Sequence, residues 1–403
     1  MAATPTKGSS RTGRADERDE REVRGERDER FLRRAVELGT AGRRRTAPNP
    51  WVGCVLVAAD GRVVGEGTTE PPGSRHAEIV ALEAAGDRAR GGTAYVSLEP
   101  CAHHGRTPPC TDALVATGVA RVVVALTDPD PRVAGRGLDE LRARGIAVTL
   151  GPEPVAAEAR RSLAPYLHHR RTGRAFCVVK TATSLDGRTA AADGSSRWIT
   201  GPAARADAHE LRADSQAVVV GTGTALADRP ALTVRDAAAP AVEHPPLRVL
   251  LDARGRVPAE GPLFDVALAP TLVVTTDRAP AAAVDAWHEA GAKVESVPFA
   301  IDASGVDLRS VLELLGRLGV LQAMVEGGAA LHGALLAAGL VDRIVAYVGA
   351  TALGTGGRPV FDQAGAVTIA DAPRFALTNV TRLGEDVRLD YDVCTGVSPA
   401  EPD

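Results

Sequence analysis

His76 and Glu78 are separated by a single alanine, and Cys101 and Cys110 follow in the stretch that opens Glu99-Pro100-Cys101 and closes Pro109-Cys110. One histidine and two cysteines make a three-ligand zinc set. Three protein ligands leave the fourth tetrahedral position to water, as in catalytic rather than structural zinc sites. Zinc lowers the pKa of water from about 15.7 toward roughly 7, and a carboxylate must then relay the proton. Glu78 stands two residues from a ligand at a helix start, where both side chains can face one cavity. Acid–base help of this kind is worth roughly a hundred- to ten-thousandfold in rate. Singly, these would be a helix cap, a solvated glutamate and two core thiols; together they define a metal-dependent hydrolytic site.

Zinc deaminases of nucleobases combine H-x-E with P-C-x-x-C. The first half matches here, but eight residues separate the cysteines. The expected chemistry is therefore hydrolytic deamination, with a loop inserted in the second zinc motif. His103 and His104 lie in that loop and read as pocket walls, because the ligand set is already complete.

A second group of residues points to anion binding. Val325-Glu326-Gly327-Gly328 and the helix-forming run behind it read as strand, glycine turn and helix N-terminus, which offers free backbone N–H groups to a phosphate. A Rossmann fingerprint is missing, since the GTGTAL stretch at Gly221 has no third glycine at the required place. Arg212 and Arg235 carry planar, forked donors that match phosphate oxygens. Trp198 can stack on a nicotinamide or fill a core.

The elements that must position these residues are legible from periodicity. Residues 1–30 are rich in Arg, Asp and Glu with little to bury, which predicts a solvated arm or frayed helix. Phe31, Leu32, Ala35, Val36 and Leu38 then line a helix ending near Gly39. Two β-branched runs around Asp60-Gly61 predict a hairpin over 53–67. Helices over 77–85, 110–116 and 138–144 alternate with strands over 93–98, 121–126 and 147–150, so residues 31–172 form an α/β/α layered domain. A second α/β domain spans 173–397, with strands from Phe176 and over 217–220, 248–251, 271–274, 323–325 and 344–348; 398–403 is a tail.

A chain of 403 residues has material for two cores. The net charge of -4, with 44% hydrophobic and 24% charged residues, suits a soluble protein with no bias toward polyanions. No membrane span or signal peptide is apparent, and five scattered cysteines do not make a disulfide scaffold. A cytoplasmic location, a small-molecule substrate and no nucleic-acid or membrane partner are expected. A homo-oligomer is compatible with the sequence, which does not fix the assembly. The rival reading is a zinc deaminase acting on a base in RNA.

The segments PNPWVGCV (48–55), HAE (76–78), EPCAHHGRTPPC (99–110), DPDPRVAGRG (128–137), KTATSLDGRTA (180–190), SRWITG (196–201), GTGTALADRPALTVR (221–235) and VEGGAALHGALL (325–336) occur in this order. In them the chain resembles the bifunctional riboflavin-biosynthesis deaminase-reductase family from about Phe31 to Cys394. The resemblance implies a cytidine-deaminase-like domain followed by a dihydrofolate-reductase-like domain. The first would hydrolyse the 2-amino group of a diaminopyrimidinone ribosylamine phosphate; the second would reduce the ribosyl group to ribityl with NADPH. It further implies substrate contacts at Asn49, Arg106, Ser196, Arg212, Leu232, Arg235 and Glu326. NADPH contacts would fall at Ala182, Trp198, Thr200, Thr224, Asp228 and the loop from Gly328. Asp130 departs from the asparagine of the family's motif, and Arg229 leaves Asp228 as that motif's only carboxylate. Asp228, Glu326 and Lys180 remain alternatives for the acid of the reduction.

Overall fold

The structure, a computed structural model, describes residues 12–103, 108–235, 245–301, 305–362 and 365–393, with side chains of the first helix described from Val23. Arg106, His104, Cys394 and the tail expected at 398–403 lie outside the described residues. The chain divides into two compact units, Met1–Arg171 and Thr172–Asp403. No helix among the described residues is long and apolar enough to cross a membrane.

The first unit holds one sheet of strands β1 (Gly53–Val57), β2 (Val63–Thr68), β3 (Thr93–Val96), β4 (Arg121–Val124) and β5 (Ala147–Leu150), in the order β2-β1-β3-β4-β5. β1 pairs antiparallel with β2 and β3, while β3, β4 and β5 run parallel. Gly61 takes the left-handed conformation at the hairpin tip, φ 87°. The helix Ala77–Ala85 lies close against β2: a Cβ on Gly65 or Gly67 would run into the carbonyl oxygens of Ala81 and Ala77. Two glycines in a strand thus let the helix bearing His76 and Glu78 approach the sheet.

The first helix runs Thr12–Ala41, so the helix expected from Phe31 begins well before it, within the charged stretch. Asp28 is buried and accepts hydrogen bonds from Tyr95 Oη (2.9 Å) and from both terminal nitrogens of Arg121 (2.8 and 2.6 Å). A charged residue inside the presumed solvated stretch is therefore an anchor onto β3 and β4. The i,i+4 pair Glu29–Arg33, itself tied to Glu158, continues the same pattern of charges satisfied within the fold.

The second unit is built on strands β6 (Phe176–Thr183), β7 (Arg188–Ala190), β8 (Ala217–Gly221), β9 (Leu247–Leu251), β10 (Thr271–Thr275), β11 (Lys293–Ser296), β12 (Gln322–Val325), β13 (Arg343–Val348), β14 (Arg358–Pro359), β15 (Phe375–Leu383) and β16 (Asp386–Val393). Nine of them form a sheet in the order β11-β10-β9-β8-β12-β6-β13-β16-β15, and β7 pairs with β14. From β11 to β13 every pairing is parallel; β16 and β15 close the edge antiparallel. Alternate residues of β8 serve two cores: Ala217 and Val219 pack with Leu272 and Leu315, whereas Val218 and Val220 pack with Leu250 and Trp287. β12 inserts between β6 and β8, and residues at the carboxyl ends of these three neighbours line one cavity. Open parallel sheets bind ligands at such a place.

Candidate active sites

In the first unit, His76 is the N-cap of the helix Ala77–Ala85 and Cys110 is the first residue of the helix Cys110–Thr117. His76 Nδ1 lies 3.3 Å from Cys110 Sγ and 3.6 Å from Cys101 Sγ, and the three donor atoms all fall within 4.8 Å of one another. One imidazole nitrogen and two sulfurs converging on a point are the donor set that zinc takes, so the residues fit the metal. The Cys110 backbone N–H donates to Cys101 Sγ at 3.4 Å, which orients that sulfur from outside the ligand set. The Cys101 thiol is pulled down by the Cys110 thiol donating to it and, against the opposing effect of burial, by His76. Cys110 is pushed upward by the same bond and by burial.

Glu78 is 3% exposed, on the first turn of its helix. Burial, followed by the negative Cys101 sulfur, raises its carboxyl to about 7. A carboxyl poised near neutrality can both accept and return a proton. Behind Cys101, Glu99 accepts from the backbone N–H groups of Asp128 (3.1 Å), Gly135 (3.0 Å) and Gly137 (2.9 Å), which draws the 128–137 loop against the cysteine-bearing strand end. Gly137 sits so close to the Pro100 carbonyl that a Cβ there would collide with it.

Asn49 sits on the turn before β1, its N–H donating to the Thr46 carbonyl at 2.7 Å. Asp130 is buried and occupied within the protein: it accepts from Arg132 Nε (3.0 Å) and Nη2 (2.7 Å), with Arg170 at 3.6 Å. Arg132 holds its carboxyl at about 2 against the opposing effect of burial.

In the second unit, Ala182, Ser196, Trp198, Thr200, Arg212, Thr224, Asp228, Leu232, Arg235, Glu326 and Gly328, scattered over the sequence, line one cavity of about 1550 Å³. Trp198 is 70% exposed with the Arg205 guanidinium 4.3 Å over its ring, which settles it at the cavity rather than in a core. Thr224 Oγ1 accepts from the Gly328 N–H at 3.0 Å, clamping the glycine turn that caps the helix Ala329–Ala337. Arg212 and Glu326 form a forked pair (2.7 and 2.8 Å), and Arg212 also donates to the Thr233 carbonyl. Burial works to raise the Glu326 carboxyl, but Arg212 outweighs it and holds it below the usual range. The Lys180 amine is pulled down by burial, with Glu326 opposing and Arg212 assisting.

Sequence reasoning missed Thr222, Arg254, Arg256 and His332, which line the same cavity. His332 was hidden in a run of helix formers, and only its i+4 spacing from Gly328 could have marked it. Leu232 and Arg229 hold left-handed backbone, φ 51° and 44°, at the wall. For non-glycine residues this costs on the order of 1 kcal/mol, and such strain gathers at functional sites. The cavity's size, its glycine turn and its arginines fit a phosphorylated dinucleotide together with a phosphorylated substrate.

Residues 25–126 match the cytidine and deoxycytidylate deaminase zinc-binding region, and residues 175–389 match the RibD C-terminal domain. The class is thus a zinc deaminase joined in one chain to a reductase of this α/β type. The chain belongs to the family of the riboflavin biosynthesis protein RibD. It is 42% identical over 373 residues to that protein of Escherichia coli (strain K12), covering 90% of this chain and 98% of the relative. To the Chlamydia trachomatis protein it is 43% identical over 353 residues, 87% and 92% of the two chains. The solved RibD of Acinetobacter baumannii (form 2) superimposes with a TM-score of 0.80 at 38% identity, over 92% of this chain and 99% of that one. A Thermotoga maritima structure described as a diaminohydroxyphosphoribosylaminopyrimidine deaminase/5-amino-6-(5-phosphoribosylamino)uracil reductase gives 0.79 at 31% identity, over 92% and 100%. The chain is accordingly a bifunctional deaminase and reductase of riboflavin biosynthesis that uses zinc and NADPH.

Proposed function

We propose that the first unit hydrolyses the 2-amino group of a diaminopyrimidinone ribosylamine phosphate, and that the second reduces the ribosyl group of the product to ribityl. The observation that carries the first half is Glu78, buried beside the convergent His76, Cys101 and Cys110 with its carboxyl raised to about 7. His76, Cys101 and Cys110 would hold the metal. When bound there, zinc supplies a Lewis acid that lowers the pKa of water. Glu78 takes the proton from the attacking water and gives it to the departing amino nitrogen, so that a C–N bond is exchanged for C=O and ammonia leaves. Asn49 holds the pyrimidine, and Arg106 is assigned the substrate phosphate by resemblance alone.

In the second unit, Trp198, Thr200, Ala182, Thr224, Asp228 and the turn at Gly328 would bind NADPH, which supplies the hydride. Ser196, Leu232, Arg235 and the Arg212–Glu326 pair would bind the substrate. Of the three acids left open by sequence, Lys180 is favoured. Glu326 is kept ionised by Arg212, and Asp228 is exposed at the end of its helix, whereas Lys180 brings a buried proton with a weakened hold on it. Lys180 would then supply the proton that the imine nitrogen takes up when the C=N bond of the ring-opened sugar is reduced at the anomeric carbon.

The same reading makes the protein a cytoplasmic enzyme of small molecules that needs no nucleic acid. Its test is a pair of separate assays on the purified chain, ammonia release from the diamino substrate and NADPH oxidation with the deaminated one, together with metal analysis. Both activities and one zinc per chain are expected. Salt-sensitive tight RNA binding, or ammonia release from a metal-free chain, would overturn it.

A further inference from the structure

The two arginines assigned to the substrate stand on different elements. Arg212 belongs to the helix Pro202–Ala213, and Arg235 closes the segment that follows the helix Thr222–Asp228. That segment passes through left-handed backbone at Leu232 and joins no strand. Among the described residues, its backbone from Pro230 to Arg235 makes no hydrogen bond to other backbone. Side chains hold it instead. Arg248, fully buried, donates to the Ala231 carbonyl (3.3 Å), Arg212 donates to the Thr233 carbonyl, and the Arg235 N–H donates to His209 Nδ1 (3.2 Å).

His209 is where the helix and the segment meet. It precedes Arg212 by three residues, on the same helix face, and its Nδ1 lies 3.3 Å from Arg212 Nη1. A guanidinium and a backbone N–H can only donate, so Nδ1 carries no proton and the ring holds its hydrogen on Nε2. One lone pair serves both donors, which accounts for two bonds at the long end of the normal range. Arg212 sends Nε and Nη2 to Glu326, and Nη1 to Thr233 and His209. That leaves a single N–H, on Nη2, for a substrate oxygen. Its place is therefore fixed by its partners before any substrate arrives. Among the described residues His209 is not part of the cavity wall, so it acts through the two arginines rather than on the substrate.

Resting on the assignment of the reductase substrate to this cavity, we propose that His209 is a positioning residue of the reduction. By accepting from Arg212 and from the Arg235 backbone at one nitrogen, it sets the spacing of the two arginines that meet the substrate. Without that acceptor the end of the segment loses its tie to the helix, and Arg235 drifts from Arg212.

The test is steady-state reduction of the deaminated substrate by the full-length chain. His209→Leu fills the space without an acceptor, and should raise the substrate KM roughly ten- to hundredfold. Because the loss falls on binding common to ground and transition states, kcat should stay within about twofold, and the KM for NADPH should not move. His209→Asn, whose carbonyl oxygen can stand near the place of Nδ1, should restore most of the affinity. His209→Gln carries its amide one bond further out, and should resemble His209→Leu. Should His209→Leu fail to fold, the comparison of Asn with Gln decides. An unchanged substrate KM overturns the proposal. So does a fall in kcat at constant KM, or equal behaviour of the Asn and Gln variants when both melt like the wild type. A wild type that does not reduce the deaminated substrate would instead remove the assignment of the cavity on which the proposal stands.

Discussion

The deaminase cluster takes its four residues from two short segments, 76–78 and 101–110, which comprise two helix starts and the loop between β3 and the second of them. The reductase cavity gathers its wall from Lys180 to Asp362, along the carboxyl ends of parallel strands and the loops behind them. Metal chemistry needs a few atoms converging on one point, and a helix start beside a strand end supplies that locally. A cofactor and a substrate together need a long surface, which only a wide sheet with a crossed strand order provides. The first kind of site is rigid in a small volume. The second depends on charge pairs and buried polar groups spread through the unit, so substitutions should separate the two.

The largest effect is expected at Glu78. Glu78→Gln keeps the shape and removes the proton carrier, so ammonia release should fall by roughly a hundred- to ten-thousandfold. Zinc content and NADPH-dependent reduction of the deaminated substrate should stay as in the wild type. Loss of both activities from a folded variant would show that the two regions are not independent.

Next is Glu326→Gln. The Arg212 and Glu326 side chains are only 12% and 14% exposed, so removing one charge strands the other, a change that costs about 3 kcal/mol in comparable buried pairs. Melting of the second unit should drop and reduction should fail, with deamination intact. The double variant Arg212→Met/Glu326→Gln should regain stability but not reduction. If it regained both, the pair would be structural and the substrate role would be lost.

What could be read in advance follows the same division. The zinc residues were legible because their chemistry is carried by residue type and short spacing. The hairpin over 53–67 was legible because two β-branched runs bracket Asp-Gly. Strands β15 and β16 were not, because their partners are polar: Arg388 bonds Asp207 and Asp390, Arg343 bonds Asp392, and Asp386 accepts from the Gly201 N–H. Alternation of charge conceals a strand from a reading based on apolar period. The burial of Asp28 escaped for a related reason, since its partner, Arg121, lies far along the chain. Cavity residues such as Ser196 and Leu232 came from family motifs, and nothing in their type announces a ligand.

A smaller effect is expected from pH. His332 is 4% exposed, and burial, then the positive Lys180, lowers its pKa to about 4. The unfolded ring titrates near 6.5. Between those values the unfolded chain takes up a proton that the folded chain refuses, so the contribution of this group is fully present above about 6.5 and is lost as pH falls toward about 4. The ceiling on that loss is about 3 kcal/mol. Denaturant melts at several pH values should show a slope over this window that His332→Leu flattens, and His76 contributes equally to both chains and cancels. An unchanged slope would mean that the imidazole finds a proton partner in the folded cavity.

The smallest effect belongs to Asn49. Its backbone N–H closes a turn onto Thr46 between the first helix region and β1, and among the described residues its side-chain amide has no partner within the protein. An amide held still with both functions open is available to a pyrimidine. A neutral hydrogen bond contributes about 0.5–1.5 kcal/mol net, so Asn49→Ala should raise the deaminase KM by roughly two- to tenfold. Because the contact is made equally in the ground and transition states, kcat should hold. The reductase KM should not move, since Asn49 belongs to the first unit. A fall in kcat with KM unchanged would place Asn49 on the reacting atoms instead, and the deaminase site would then extend beyond the cluster around Glu78.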